Sequence, residues 1–544
     1  MTDPTAVDEL VRRVVIAGFE AAPAAGRAAG DHTYDGRLGD VGRDALRRRE
    51  QELDAFAEEL RAVDPSSLDS ERRADVGTAL RDVEDELFRL RELRAPATDP
   101  QWALWRGCDV SSYILRPYAS GPERAEGVIR QLEQLPDWLE EAGSLLDPDL
   151  APGPRDIAVG SLRGHAEFYR DEVPAGLGEL DTGLGARLDA AVQVAAEAVE
   201  RHARRLEAAG EESGWALGPE RFVALLRAQE GVDETAASLR SRVDGELAAL
   251  TARGEEVARG LGAADLAAGF QTMEALHPGR DELLSTAAGM LEELRHFWID
   301  RDVVSVPADV DCTVRRSPSF YSYITAAFEP PGSLDPPGLP YFYYVTPVDA
   351  SWTDTQADQW LRHLNTACLL NISVHEVYPG HFVHAVNSRR NPSLVRNAAW
   401  YPAFGEGWAH YTELLGIEQG LAERYPWVEL AFVQDALLRA ARFSATVGMH
   451  AEGRSLAWAT DMMEAGAHVP RLAAEREALR GTWDPMYLSY TYGKLEILRW
   501  RAELERRPGF SLKRFHDRMV QGGSPPLSVM AAYVMDDAEE WLGA

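Results

Sequence analysis

Helical periodicity over the first half of the chain is the feature that most constrains its fold. From Thr5 to about Gln271, apolar residues recur at three- and four-residue spacing in a background of Ala, Leu, Arg and Glu. This period indicates amphipathic α-helices, and connectors rich in Pro, Gly, Asp and Ser separate them. No fixed repeat length is present, so the pattern predicts a globular helical body rather than a solenoid.

The composition changes between Asp302 and Asp349, where proline, aromatic and β-branched residues concentrate. This is the one region that predicts β-strands. The run from Tyr341 to Val345 is predicted to be an edge strand, because flanking prolines are disfavoured in a central strand. The helical pattern returns after Thr353, so we predict a mainly α fold with a small β-sheet near the active-site cleft.

The chain length of 544 residues exceeds what one hydrophobic core normally supports. We therefore predict an N-terminal helical lobe over residues 1–271 and a catalytic helical lobe with the small sheet over residues 272–544, interleaved into one body. The net charge of −32 argues against a nucleic-acid partner, since phosphate binding needs a clustered positive surface.

Targeting signals and thiol chemistry are not indicated. The N-terminal residues show no basic region followed by a long apolar run, and no segment reaches roughly 18 uninterrupted apolar residues. We therefore expect a cytoplasmic protein without a membrane partner. Three cysteines without CxxC spacing exclude a thiolate zinc finger and disfavour a disulfide scaffold.

The segment HEVYPGH contains a His-Glu pair, His375 and Glu376, and a second histidine, His381, six residues after the first. In a HExxH zinc helix the two histidines are four residues and about 40° apart, so both can bind one ion. Spacing of six gives about 240° on an unbroken helix. Pro379 and Gly380 can interrupt the helix with a bulge that returns His381 to the same side. Alternatively, His375 ends a helix and His381 is an unrelated loop residue.

A third ligand is predicted from the segment GEGWAHYTE, where Glu406, His410 and Glu413 share one helix face. A stripe of ionisable groups can be a solvated surface. Here it is interleaved with Trp408 and Tyr411, which favours partial burial. Two histidines and one carboxylate leave a fourth position for water, the arrangement of a catalytic zinc site. Glu406 is the preferred ligand.

HEVYPGH together with GEGWAHYTE resembles the domain of unknown function 885 family, bacterial proteins grouped with zinc metallopeptidases of the HExxH superfamily. GDHTYDGRLGD near the N-terminus resembles the opening motif of that family, and SYTYGKLEILRWR resembles its late Tyr-x-x-Gly motif. The resemblance spans nearly the whole chain. It implies a bilobed zincin-like metallopeptidase with Zn²⁺ as cofactor, held by His375, His381 and Glu406.

The same resemblance assigns roles around the metal. In thimet-type oligopeptidases of the same superfamily, the ligand glutamate follows the second histidine at a similar separation to the 25 residues between His381 and Glu406 here. This similarity favours Glu406 over Glu413 as the ligand. By analogy, His410 or Glu413 would orient a ligand imidazole. His384 lies where the family more often has glutamine, so it is excluded from the metal set.

Two later segments supply further candidates. The stretch from Arg442 to His450 resembles a family segment that usually carries an aspartate where this chain has Thr446. Tyr490 matches the tyrosine of the Tyr-x-x-Gly motif and is predicted to donate to the oxyanion, with His450 behind it. Tyr490 as a packed aromatic is the alternative, and Tyr492 is predicted to be a core residue. Arg442 either clamps a substrate carboxylate or pairs with neighbouring acids.

Taken together, these residues predict a zinc-dependent peptidase that hydrolyses short peptides with metal-activated water and Glu376 as general base. Two other functions stay open. One is a metal-dependent hydrolase or lyase acting on a nonpeptide substrate, because fold does not determine substrate. The other is a noncatalytic metal-binding relative. The expected partner is a peptide or another small substrate.

Overall fold

The computed structural model describes residues 3–318, 324–536 and 538–542, and these ranges are mainly helical. The first ten helices are α1 (Pro4–Ala21), α2 (Pro23–Ala29), α3 (Arg43–Arg61), α4 (Ser70–Arg91), α5 (Ala95–Thr98), α6 (Ser111–Leu115), α7 (Gly121–Gly143), α8 (Pro152–Asp171), α9 (Val173–Gly176) and α10 (Thr182–Glu207). The predicted mainly α fold with a small sheet is confirmed.

The chain continues through the strands and the remaining helices. In chain order these are α11 (Pro219–Glu230), α12 (Ala236–Gly260), α13 (Leu266–Glu274), α14 (Leu283–Arg301), β1 (Cys312–Arg316), β2 (Ala326–Glu329), β3 (Tyr341–Val345), α15 (Asp354–His363), α16 (Thr366–Glu376), α17 (His381–Arg389), α18 (Leu394–Ala398), α19 (Pro402–Glu418), α20 (Leu421–Arg424), α21 (Val428–Ala451), α22 (Leu456–Gly466), α23 (Arg471–Arg480), α24 (Ser489–Leu504), α25 (Leu512–Gln521), α26 (Leu527–Ala531) and α27 (Ala538–Leu542). No helix in the described ranges has the length and apolar character needed to cross a membrane.

Contacts within the chain define two compact units. The first comprises Met1–Trp215, Pro331–Leu339 and Ser393–Ala398, and the second comprises Ala216–Pro330, Pro340–Pro392 and Ala399–Ala544. The change in composition had suggested a boundary near Gln271. The structure groups α11, α12 and α13 with the second unit because they pack against α21.

In the first unit, α10 packs against α7 and α8, and α1 packs against α4 and α18. The GDHTYDGRLGD motif lies here. The imidazole of His32 lies between the carboxylates of Asp35 and Asp335, with N···O distances of 3.3 and 2.7 Å, and its ring stacks on Tyr118. These contacts explain the motif structurally: they hold the segment Pro331–Leu339 within the first unit.

The second unit contains the three-stranded sheet, in the order β1-β3-β2, with β1 parallel and β2 antiparallel to β3. The prediction of an edge strand at Tyr341–Val345 is therefore wrong, because β3 is the central strand. All five of its residues are buried. Pro340 and Pro347 lie outside the ladder, so neither removes a donor from it. Residues 319–323 of the predicted strand region lie outside the described residues.

Candidate metal centre

The HEVYPGH segment forms the end of one helix and the start of the next. Helix α16 ends at Glu376, a turn containing a cis Tyr378–Pro379 peptide follows, and α17 begins at His381. The turn places the ring of His381 perpendicular to that of His375, with centroids 4.8 Å apart. The two histidines thus lie on the same side of the chain, as predicted, but they belong to two helices rather than to one bulged helix.

Two contacts hold this turn. The Gly380 amide donates to the Val374 carbonyl at 3.0 Å, which folds the chain back over the end of α16. The buried indole of Trp408, on α19, donates to the Pro379 carbonyl at 3.2 Å. The Trp of the GEGWAHYTE motif therefore fixes the turn of the HEVYPGH motif.

Glycine is required at position 380. A Cβ there would overlap the carbonyl oxygen of His375. We expect Gly380→Ala to lower the free energy of unfolding by about 1–3 kcal/mol, because the turn must open to admit the methyl group. Thermal and urea unfolding of the purified protein measure this effect.

Gly466 offers a matched control for that substitution. It ends α22, and apart from its chain neighbours and its own helix backbone, no heavy atom of the described residues lies within 4 Å of the position that a Cβ would occupy. Gly466→Ala should leave stability unchanged or raise it by up to about 1 kcal/mol. Equal stability of the two variants would show that the turn does not need glycine.

Glu406 completes the cluster from the first half of α19. One of its carboxylate oxygens, Oε2, lies 3.4 Å from Nε2 of His375 and 3.4 Å from Nε2 of His381. One ligand atom from each residue lies within 4.8 Å of the other two. Although burial opposes its ionisation, the two imidazoles lower the pKa of Glu406. An anionic oxygen therefore faces two ring nitrogens, an arrangement that can hold a divalent cation.

Glu413 contacts the opposite side of the His375 ring. Its Oε1 lies 2.7 Å from His375 Nδ1, and the Arg439 guanidinium donates to the same buried carboxylate at 2.9 Å. Asn371 donates to it at 3.1 Å. A carboxylate in this position can orient the imidazole, which is the role predicted for Glu413. The other candidate for that role, His410, contacts Glu413 at 3.4 Å, on the same carboxylate.

The carboxylates set the protonation of the cluster. Burial opposes a charged imidazole, but hydrogen bonds to Glu406 and Glu413 raise the pKa of His375 to about 9. Burial likewise opposes ionisation of Glu413, yet Arg439 holds the pKa of that carboxyl well below its usual range. In the absence of a metal, His375 is therefore the doubly protonated imidazolium at neutral pH. A cation that binds Nε2 would have to displace the proton on that nitrogen.

We expect Glu413→Gln to weaken zinc binding by about 10- to 100-fold, because the neutral amide makes His375 a less basic ligand. Competition with a chromophoric chelator measures the affinity. Glu464→Gln makes the same chemical change at an exposed pair with Arg471 and should leave zinc affinity unchanged. A folded Glu413→Gln protein with the affinity of the unmodified chain would remove Glu413 from the centre.

Glu376 is the last residue of α16 and is partly buried beside the same cluster. Its Oε2 accepts a hydrogen bond from the Phe328 amide on β2 at 2.9 Å. Burial raises the pKa of this carboxyl, and the neighbouring charge of Glu406 raises it further against the opposing effect of His375. The carboxylate is thus fixed in position and made more basic than a solvated glutamate.

Close packing of α19 and α24 brings Tyr490 to the centre. A Cβ at Gly407 would lie 2.6 Å from Gly493 Cα, so the two backbones touch. Tyr490, one turn before Gly493, lies with its ring centroid 6.4 Å from that of His375. Burial, followed by the charge of Glu406, raises the pKa of Tyr490 to about 12. The phenol therefore stays protonated near neutral pH and can donate a hydrogen bond.

Two predicted residues have other partners. Nε2 of His450 contacts the Gly481 carbonyl at 2.7 Å, and its ring stacks on Phe222, so the predicted position behind Tyr490 is not supported by these contacts. Arg442 forms a bidentate pair with Glu477 at 2.8 and 3.0 Å. This pairing is the alternative that the sequence left open, and it weakens the proposed clamp.

Two further positions are explained by backbone contacts. The buried hydroxyl of Thr446, where the family usually has aspartate, donates to the Arg442 carbonyl at 2.8 Å. His384, which was excluded from the metal set, has Nε2 at 2.9 Å from the Gly523 carbonyl. Both side chains are therefore engaged by the backbone.

Sequence reasoning missed two residues of the centre, Asn371 and Arg439. Asn371 precedes His375 by four residues and so lies on the same face of α16, which is a usable signal. Arg439 lies one turn before Arg442 on α21, a helix that is otherwise largely apolar and buried. Two arginines on such a helix indicate buried acidic partners, because a buried charge needs one.

The described fold matches solved structures. A protein titled "putative lipoprotein of unknown function" from Shewanella oneidensis has 22% identity and a TM-score of 0.79, with 96% of this chain and 98% of that chain covered. One titled "putative lipoprotein" from Colwellia psychrerythraea has 18% identity and a TM-score of 0.81, with 99% and 98% covered. At these identities the likeness is evidence for the fold alone. No curated protein matches the sequence.

The family comparison covers most of the chain. Residues 23–534 match the family described as "Bacterial protein of unknown function (DUF885)". This range includes the turn between α16 and α17, all of α19 and the first turn of α24. The resemblance inferred from the motifs is therefore confirmed at the level of the family, and the chain belongs to the DUF885 family of bacterial proteins.

Proposed function

We propose that this protein is a zinc-dependent peptidase acting on short peptides. The observation that carries the proposal is the spacing of the ligand atoms: each histidine Nε2 lies 3.4 Å from the same oxygen of Glu406. Atoms about 2.1 Å from a zinc ion in tetrahedral geometry are about 3.4 Å from one another. The donor set therefore fits zinc, and His375, His381 and Glu406 would hold it.

The donor types favour a catalytic site over a structural one. Two imidazoles and one carboxylate leave a fourth position for water, whereas structural zinc sites usually have four protein ligands. When bound, zinc would lower the pKa of that water and polarise the scissile carbonyl. Glu376 would accept a proton from the water and return it to the leaving amine, and its raised pKa suits both transfers.

Tyr490 can supply a hydrogen-bond donor beside the centre, because its ring lies nearly parallel to the His375 ring with the centroids 6.4 Å apart. Its pKa of about 12 keeps the hydroxyl protonated at neutral pH. We infer that this hydroxyl donates to the negative charge that develops on the carbonyl oxygen during attack. Such a donor stabilises the transition state more than the ground state, which is the requirement for a gain in rate.

The position of β2 supports a peptide as substrate. In the described sheet, β2 lies at one end, with only β3 as a neighbour. The Phe328 amide of β2 donates to Glu376, so this end of the sheet adjoins the centre. An extended peptide can add to such an edge through backbone hydrogen bonds, which a nonpeptide substrate cannot do.

Metal analysis combined with a peptide library tests the proposal. Purified protein should contain about one zinc per chain, lose activity on treatment with a chelator and regain it when zinc is added. Mass spectrometry of the digested library identifies the cleaved bonds. Protein that binds zinc stoichiometrically and cleaves no peptide would refute the proposed function while leaving the metal centre intact. Failure to bind any divalent metal would refute both.

A further inference from the structure

Trp400 is an exposed indole beside a candidate metal ligand. It precedes α19, and 54% of its surface is exposed. Its ring centroid lies 5.8 Å from that of His381, at an interplanar angle of 57°. Leaving an indole in water forgoes the favourable burial of a large apolar surface. More than half of the surface of Trp400 therefore remains open to contact by a bound molecule.

The absence of a side chain at Gly405 allows the Trp400 ring to lie close to the backbone. A Cβ at position 405 would lie 2.5 Å from one carbon of the Trp400 six-membered ring and 2.9 Å from two others. The indole thus lies over the backbone of Gly405, the residue immediately before Glu406. The ring therefore lies beside His381 and against the residue that precedes Glu406, so it adjoins the candidate metal centre.

Resting on the proposed peptidase function, we infer that Trp400 forms a binding subsite for a large apolar or aromatic side chain of the substrate. This substrate side chain belongs to a residue next to the scissile bond, because the indole contacts the ring of His381, a candidate metal ligand, with the centroids 5.8 Å apart. Stacking on this indole would bury apolar surface on both molecules. The substrate class is therefore peptides with an aromatic or bulky aliphatic residue next to the cleaved bond.

Matched peptide pairs test this subsite. A cleaved library peptide is synthesised with Phe or Gly at each position flanking the scissile bond, and kcat/KM is measured for both forms. We expect Trp400→Ala to reduce the Phe-to-Gly ratio at one flanking position by about tenfold, and Trp400→Phe to keep most of it. A ratio unchanged in Trp400→Ala at both positions would overturn the inference.

The ratio of the two substrates cancels any loss of folded enzyme, so a less stable variant remains informative. Trp105→Ala is the control, since Trp105 is 62% exposed and lies in the first unit; its ratio should equal that of the unmodified protein. Zinc content should be equal in all four proteins.

A binding measurement separates this inference from the proposed function. Fluorescein-labelled tripeptides that differ by one Phe or Gly are titrated into the zinc-loaded protein and into Trp400→Ala. If the protein cleaves no peptide, the peptidase proposal fails, yet tighter binding of the Phe peptide that is lost in Trp400→Ala would still support the subsite. Equal binding of both peptides by the unmodified protein would overturn it.

Discussion

Replacing Glu376 by glutamine is expected to lower the turnover of a cleavable peptide by about 10²- to 10⁴-fold, the contribution typical of a general base. Glutamine has nearly the same shape, and its amide oxygen can still accept the hydrogen bond that the Phe328 amide donates at 2.9 Å. It cannot accept the proton of the attacking water. The loss should fall on kcat, with zinc content unchanged, and steady-state kinetics with metal analysis measure both.

Glu418→Gln is a matched control for this substitution. Glu418 is the last residue of α19 and pairs with Arg501 on α24, so the same change is made on a carboxylate engaged elsewhere. Its turnover should equal that of the unmodified protein. A zinc-loaded Glu376→Gln protein with full turnover would show that another group takes the proton.

Local sequence patterns were sufficient where the structure is set by local physics. The helical period predicts helices because one face of each must be buried. The interruption of HEVYPGH at Pro379 and Gly380 predicts that the two histidines converge, and the structure brings their rings to 4.8 Å. Spacing on one helix placed Glu406 and Glu413 on one face of α19, and both contact the histidines.

Features that depend on distant partners were not predicted. Proline next to Tyr341–Val345 suggested an edge strand, but strand order is decided by which segments pair, and β1 and β2 both pair with β3. The sequence leaves the role of Arg442 open between a substrate clamp and an ion pair, because its partner, Glu477, lies 35 residues further along the chain on α23. Arg439 was overlooked for the same reason, since its contact with Glu413 joins two helices.

Substituting Glu406 by alanine is expected to weaken zinc binding by about a thousandfold or more, because it removes one of three protein ligands, each of which contributes a large share of the binding free energy. Its Oε2 is the oxygen that both Nε2 atoms approach at 3.4 Å. The two imidazoles would remain, so residual binding is expected at high zinc concentration. Chelator competition measures the change in affinity.

Comparison with Glu413→Ala decides between the two carboxylates of α19. Glu413 contacts Nδ1 of His375, the nitrogen opposite the one that faces Glu406, and so it should act through that ring rather than on the ion. Glu413→Ala should therefore weaken zinc binding by about 10- to 100-fold, which is less than the loss expected for Glu406→Ala. It should also destabilise the fold by about 3–5 kcal/mol, because Arg439 loses a buried partner. The reverse order of zinc affinities would identify Glu413 as the ligand and assign Glu406 the orienting role.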